Sequence, residues 1–239
     1  MNSYVTVFDK AFLPGFITMY YSLSRFNSNH KIIAFVDETI YKDKQLVKWI
    51  NRLPNVETID IDKGKFEKIK SKNQYIKAYY KFLIYTLNFD KIIFLDSDLV
   101  ILQNIENLFN LKGKFHAVVE MEIPQFNTGV MVVCDPEIDT FNELIETANN
   151  HPNAMHGDQD IFNHVLKNPT PLPFEYNVLK SYHRHLGTWI NSCKILHYIS
   201  KKPWQSYDPK THKEGNVECA VIETIWFDLF EKAKKELLC

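Results

Sequence analysis

Strand-forming and helix-forming patterns alternate three times before residue 90, which confines this chain to folds built from parallel βαβ units. Residues 4–8, 31–36 and 56–61 read as strands. A helix is expected from Pro14, with Phe16, Met19, Tyr20 and Leu23 at helical spacing, and a second over about 43–51. A third is expected over 73–87, where Ile76, Tyr80, Leu83, Ile84 and Leu87 share one face. It feeds the apolar run 91–95, which ends abruptly in Asp96-Ser97-Asp98. An apolar run of this kind is a strand buried on both faces, so the two acids stand where it leaves the core. Side chains alternate along an extended chain, so Asp96 and Asp98 can face one way. Two such carboxylates are hard ligands for Mg²⁺ or Mn²⁺, and the same pattern also suits a helix N-cap or a solvated turn.

The second half is less regular. Strands are expected at 115–119, 126–133 and 195–199, and helices at 137–148 and 160–166, with Pro169, Pro171 and Pro173 marking an extended crossing. From about Val217 the tail carries Val221, Ile225, Leu229 and Phe230 on one helical face, expected to pack. Residues 63–72 read as a solvated lysine-rich loop. At 239 residues the chain is expected to form a single domain, with residues 206–239 a helical tail packed on it.

A net charge of −1 supplies no global field for nucleic acid or an anionic membrane, so neither is expected as a partner. Cys134, Cys193, Cys219 and Cys239 show no metal or redox spacing and read as free, mostly buried thiols. Without a signal-like start or a long apolar run, a soluble cytoplasmic protein is expected.

Four pieces follow the Asp pair. Phe126-Asn127-Thr128-Gly129-Val130 puts an amide and a glycine at the mouth of a strand, where backbone can approach a ligand and Asn can bond a polyol; alone it also suits a turn. His156-Gly157-Asp158-Gln159-Asp160 puts an acid and an amide at a helix start, where plain capping also explains Asp158. His197-Tyr198-Ile199-Ser200-Lys201-Lys202-Pro203-Trp204 sets an imidazole on a strand and an ammonium five residues later. Lys81 lies on the helix before the Asp strand.

In this order the pieces resemble the glycogenin-like members of glycosyltransferase family 8, over roughly residues 4–205. The resemblance implies a GT-A type α/β fold, a mainly parallel central sheet flanked by helices, and a metal-dependent retaining transfer of a hexose from a UDP-sugar. It implies that Asp96, Asp98 and His197 hold Mn²⁺ (or Mg²⁺) and that Lys202 neutralises the diphosphate. Asp158, Gln159 and Lys202 are the expected catalytic groups. Donor binding is assigned to Val5, Thr6, Val7, Phe12, Lys81, Ser97, Asn127, Thr128, Gly129 and Ser200 beside these groups.

The sequence also departs from the family pattern. The last motif is one residue short, Ser200 replaces a glycine, Thr128 replaces a serine, and Asp160 stands where a small residue is usual. The segment 179–189, where glycogenins present a self-glucosylated tyrosine, does not align. Tyr182 is the nearby candidate acceptor; His183 and His185 could bind metal or acceptor, with a surface loop the favoured reading. A separate glycan, protein or polyol acceptor is therefore expected, with self-glucosylation the alternative and a homodimer possible. Rival readings are a haloacid-dehalogenase-type phosphatase, disfavoured because three strand–helix units precede the Asp pair, and a non-catalytic nucleotide-sugar binder.

Overall fold

The structure, a computed structural model, describes residues 1–26, 29–67, 69, 76–151, 154, 156–206 and 220–237. Residues 73–75 of the expected third helix, Val217 at the start of the tail, Cys219 and Cys239 lie outside them, as do 68 and 70–72 of the lysine-rich stretch. The described strands are β1 (Asn2–Phe8), β2 (Lys31–Val36), β3 (Val56–Asp60), β4 (Lys91–Leu95), β5 (Leu99–Ile101), β6 (Phe115–Val119), β7 (Phe126–Cys134), β8 (Thr170–Pro171), β9 (Val178–Leu179) and β10 (Ile195–His197). No described helix is long and apolar enough to cross a membrane.

The chain divides into two compact units. The first comprises Met1–Asp9, His30–Asp96 and Leu108–Leu172. Its sheet runs β3-β2-β1-β4-β7-β6-β8. Pairings β1–β2, β1–β4, β2–β3 and β6–β8 are parallel, whereas β7 runs antiparallel to both β4 and β6. The mainly parallel α/β sheet expected from the alternating patterns is present. Every residue of β7 is buried, the apolar run from Val130 to Cys134 and the polar Asn127 and Thr128 before it alike. One core cluster gathers Val5, Ile33, Phe94 and Met131 from the sheet with Phe82, Leu144 and Phe162 from flanking helices.

Two local expectations give way here. Residues Ala78–Thr86 form a 3-10 helix rather than an α-helix. At a three-residue repeat Tyr79, Phe82 and Tyr85 fall on one edge, all buried, and the Tyr79 and Phe82 rings stack at 5.3 Å. The lysine-rich stretch is not simply solvated: Lys63–Phe66 is a short 3-10 helix capped by Asp62, and Phe66 and Ile69 are buried in the core cluster. Asp43 caps the helix Lys44–Ile50 by accepting from Leu46 N.

The second unit comprises Lys10–Asn29, Ser97–Asn107 and Pro173–Cys239, and its sheet runs β5-β10-β9. β10 pairs antiparallel with β5 and parallel with β9. The tail helix Ala220–Leu237 buries Ile222, Trp226, Leu229 and Ala233. Val221, expected on the packed face, is 58% exposed, so the buried stripe is rotated from the expected one. Tyr21 Oη donates to Glu236 Oε1 at 2.7 Å and ties the helix Leu13–Ser24 to this tail. Cys134 and Cys193 are free and buried, and burial pushes the Cys193 thiol up to about 12.

Phe162 is fully buried and packs edge-on against Phe82 at 5.1 Å. Phe162→Ala is expected to cost about 3–5 kcal/mol in urea unfolding. A loss under about 1 kcal/mol would show that the cluster around it is not the core of this unit.

Candidate active site

In the first unit, the β4–β7 ladder extends one step past Leu95, where Asp96 N donates to Gly129 O at 2.8 Å. That bond brings the end of β4 beside Asn127-Thr128-Gly129 at the start of β7. The helix Asp158–Val165 is fixed to the same strand start by Asn163. Its amide oxygen accepts from Phe126 N at 2.9 Å, and its Nδ2 donates to Phe126 O at 2.9 Å. Gly157 caps that helix at φ 61° and ψ −122°, a conformation that only glycine adopts readily, which explains the glycine of Gly157-Asp158-Gln159.

Four expected site residues meet there. Lys81 Nζ lies 3.0 Å from Asp96 Oδ2, 2.9 Å from Asp158 Oδ2 and 3.3 Å from Thr128 Oγ1. Thr128 Oγ1 donates to Asp158 Oδ2 at 2.6 Å. Burial works against the Lys81 charge, yet Asp158 and Asp96 outweigh it and hold the ammonium above the ordinary lysine value. Lys81 is thus a fixed cation that keeps two carboxylates together.

Beside it, Asn127 Nδ2 donates to Gln159 Oε1 at 3.1 Å and to Glu120 Oε1 at 2.9 Å. Gln159 Nε2 also donates to Glu120 Oε1 at 3.1 Å, and Asn127 Oδ1 accepts from Gly129 N at 2.8 Å. Glu120 was not anticipated. It follows β6 where Glu120 N donates to Gln125 O, a turn that returns the chain towards Asn127. A β-bulge between Ala117 and Val119 precedes it, the kind of irregularity that re-aims side chains at a sheet rim. The expected donor residues of β1 are also in this unit. Val5 lies in the core cluster, Val7 is half-buried, and Thr6 is 1% exposed with no partner for its hydroxyl among the described residues.

In the second unit, Asp98 is 5% exposed between two basic side chains. His197 Nε2 lies 3.3 Å from Asp98 Oδ1, and Lys202 Nζ is ion-paired with Asp98 Oδ2. Burial works against the Asp98 charge, but His197 and Lys202 outweigh it and hold the carboxyl well below the usual carboxylate range. Asn177 Oδ1 lies 3.0 Å from His197 Nδ1 and fixes the orientation of the ring. The other ring nitrogen, Nε2, faces the Asp98 carboxylate, where the two could hold a cation between them. Two adjacent ligands about 2.1 Å from one octahedral ion lie about 3.0 Å apart, so this pair suits such an ion, and Asn177 is the outer partner that orients the imidazole.

Lys202 Nζ also donates to Tyr198 O at 2.9 Å and stands 5.7 Å over the half-buried Phe12 ring. Ser200, which stands where the family pattern has glycine, has φ 61°, in the left-handed region that favours glycine. Ser97 is 4% exposed. A Cβ on Gly15 would come within 2.5 Å of Ser97 O and 2.6 Å of the Trp204 ring, so the bare glycine lets the Ser97-Asp98 backbone approach this closely. Tyr182 is 4% exposed, with its ring 5.6 Å from Phe174, and His185 is exposed; nothing is described of the His183 side chain.

Human glycogenin-1 is 29% identical over 161 residues, aligning with 59% of this chain and 45% of its own length. Galactinol synthase 3 of Arabidopsis thaliana is 28% identical over 199 residues, aligning with 65% of this chain and 58% of its own. The chain therefore spans about half the length of these curated relatives. The glycosyltransferase GlyE of Streptococcus pneumoniae TIGR4 superposes with TM-score 0.71 at 22% identity over 99% of this chain and 62% of its own. The galactosyltransferase LgtC, solved with donor and acceptor sugar analogues, superposes with TM-score 0.74 at 14% identity over 97% of this chain and 96% of its own. The fold is therefore the GT-A fold. The profile of glycosyl transferase family 8 matches residues 4–208, and the chain belongs to that family.

Proposed function

We propose that this chain is a metal-dependent, retaining glycosyltransferase that moves a hexose, with glucose the leading candidate, from a UDP-sugar to a separate acceptor. The observation that carries the reading is the buried Asp98 carboxylate between the His197 imidazole and the Lys202 ammonium. A non-catalytic binder keeps the pocket but usually loses a metal ligand or a sugar-binding acid, and Asp96, Asp98, His197 and Asp158 are all present. Asp96, joined to Asp98 through Ser97, completes the proposed ligand set, and mixed oxygen and nitrogen ligands favour Mn²⁺ over Mg²⁺. When bound, the ion supplies Lewis-acid stabilisation of the diphosphate leaving group.

The remaining work falls to the chain itself. Lys202 exchanges its contact with Asp98 for the phosphates and neutralises charge as the glycosidic bond breaks. Asn127 and Gln159, already cross-bonded through Glu120, hold sugar hydroxyls. Asp158, ion-paired with Lys81 and bonded by Thr128, stabilises positive charge developing at the anomeric carbon. The nucleoside rests against β1, where the buried Thr6 hydroxyl has no partner among the described residues, and donor contacts are also assigned to Phe12, Ser97 and Ser200. Free buried thiols at Cys134 and Cys193 suit a reducing, cytosolic setting. The burial of Tyr182 supports a separate acceptor, because an attacking oxygen must come within about 3–3.5 Å of the anomeric carbon.

Asp98→Asn is expected to lower Mn²⁺-dependent UDP release by about 10²–10³-fold. Full turnover in that variant, or in EDTA, would refute the reading. The transferred hexose is expected to be α-linked by NMR, and a β-linked product would contradict retention. Incubated with UDP-glucose and Mn²⁺, the pure protein is expected to keep its intact mass. A ladder of hexose increments lost in Tyr182→Phe would show self-glucosylation instead.

A further inference from the structure

The tail helix Ala220–Leu237 lies beyond residues 4–208, the stretch that matches the family, yet it is tied to the segment that carries Lys202. Trp226, fully buried, packs its ring against Trp204 at 5.4 Å, two residues past Lys202. Tyr198 Oη donates to Ile222 O at 2.6 Å, and the carbonyl of the same Tyr198 accepts from Lys202 Nζ at 2.9 Å. Lys180 Nζ bridges the two elements, donating to Lys201 O at 2.6 Å and to Glu223 Oε1 at 3.3 Å. The ties fall at residues 198, 201 and 204, on both sides of Lys202.

Between them Ser200 is held at φ 61°, a left-handed conformation that a serine keeps only where its surroundings over-determine it. A lysine carries about 2 kcal/mol of rotamer entropy, so directing its ammonium at one point requires a backbone that does not wander. The Trp226 indole N–H has no hydrogen-bond partner among the described residues, so its contribution is shape.

We infer that the tail helix is a positioning element for the active site: through Trp226, Ile222 and Glu223 it fixes the 198–204 segment so that the Lys202 ammonium is aimed at a donor diphosphate. The inference rests on the role proposed above for Lys202. A helix that merely stabilised the unit would affect every ligand alike, whereas a positioning element affects the diphosphate selectively.

The test is calorimetric titration of the full chain with UDP and, separately, with uridine, both in Mn²⁺. Trp226→Ala is expected to raise the Kd for UDP about tenfold, since small misplacements of a charged group are costly, and to leave the Kd for uridine unchanged. Trp226→Phe, which keeps an aromatic ring against Trp204, is expected to restore most of the UDP affinity. Tyr198→Phe removes only the hydroxyl and is expected to weaken UDP about fivefold, the worth of one hydrogen bond, so it carries the test if Trp226→Ala does not fold. Unchanged UDP affinity in a folded variant, or equal weakening of UDP and uridine, would overturn the inference. Absence of UDP binding by the unaltered chain would instead overturn the proposed function on which the inference rests.

Discussion

The Lys81 ammonium, buried among Asp96, Asp158 and Thr128, is the contact on which the rest of the first unit's site depends. It joins the end of β4, the start of β7 and the first turn of the helix Asp158–Val165. Two carboxylates brought this close repel each other, and a buried cation between them turns that repulsion into a fixed arrangement. Removing one partner of such a buried group costs about 3–5 kcal/mol, because the remaining charges stay desolvated. The hydrogen bonds around it, from Phe126 N to Asn163 and from Asn127 and Gln159 to the Glu120 carboxylate, then hold amides beside the acids.

The second unit applies the same principle with the signs reversed: one buried carboxylate, Asp98, is held by His197 and Lys202. The chain crosses from one unit to the other within Asp96-Ser97-Asp98, so a single triplet supplies an acid to each cluster. This gives a physical reason for that spacing apart from the proposed metal ligation. Each acid has its own basic partner, Lys81 for Asp96 and Lys202 for Asp98, which offsets the cost of burying charge at the end of an apolar strand.

The parallel sheet and the order of the motifs were legible because they rest on local pattern. β2 spans the expected 31–36, and the Gly157 turn and the acid after β4 stand where the sequence places them. What stayed hidden was set by distant partners. Glu120 carries no motif of its own, and it becomes a site residue only because the β6–β7 turn faces it towards Asn127 and Gln159. The tail presents a broad apolar arc including Val221, Ile222, Ile225, Trp226, Leu229 and Phe230, and the Trp204 ring and the Tyr198 hydroxyl decide which edge is buried. In the segment Ala78–Thr86, aromatic residues three apart favoured a tighter helix than the apolar spacing implied. Ser200 could be read only as a departure from glycine, since the backbone angle it shares with glycine is invisible in sequence.

The measurement that most directly tests the central claim is Mn²⁺-dependent UDP release from UDP-glucose by Lys81→Met beside the unaltered chain, with far-UV circular dichroism on both. If Lys81 organises the acids of a donor site, the variant keeps its secondary structure and loses about 10²–10³-fold in turnover. A folded Lys81→Met protein that releases UDP at the rate of the unaltered chain would contradict the account.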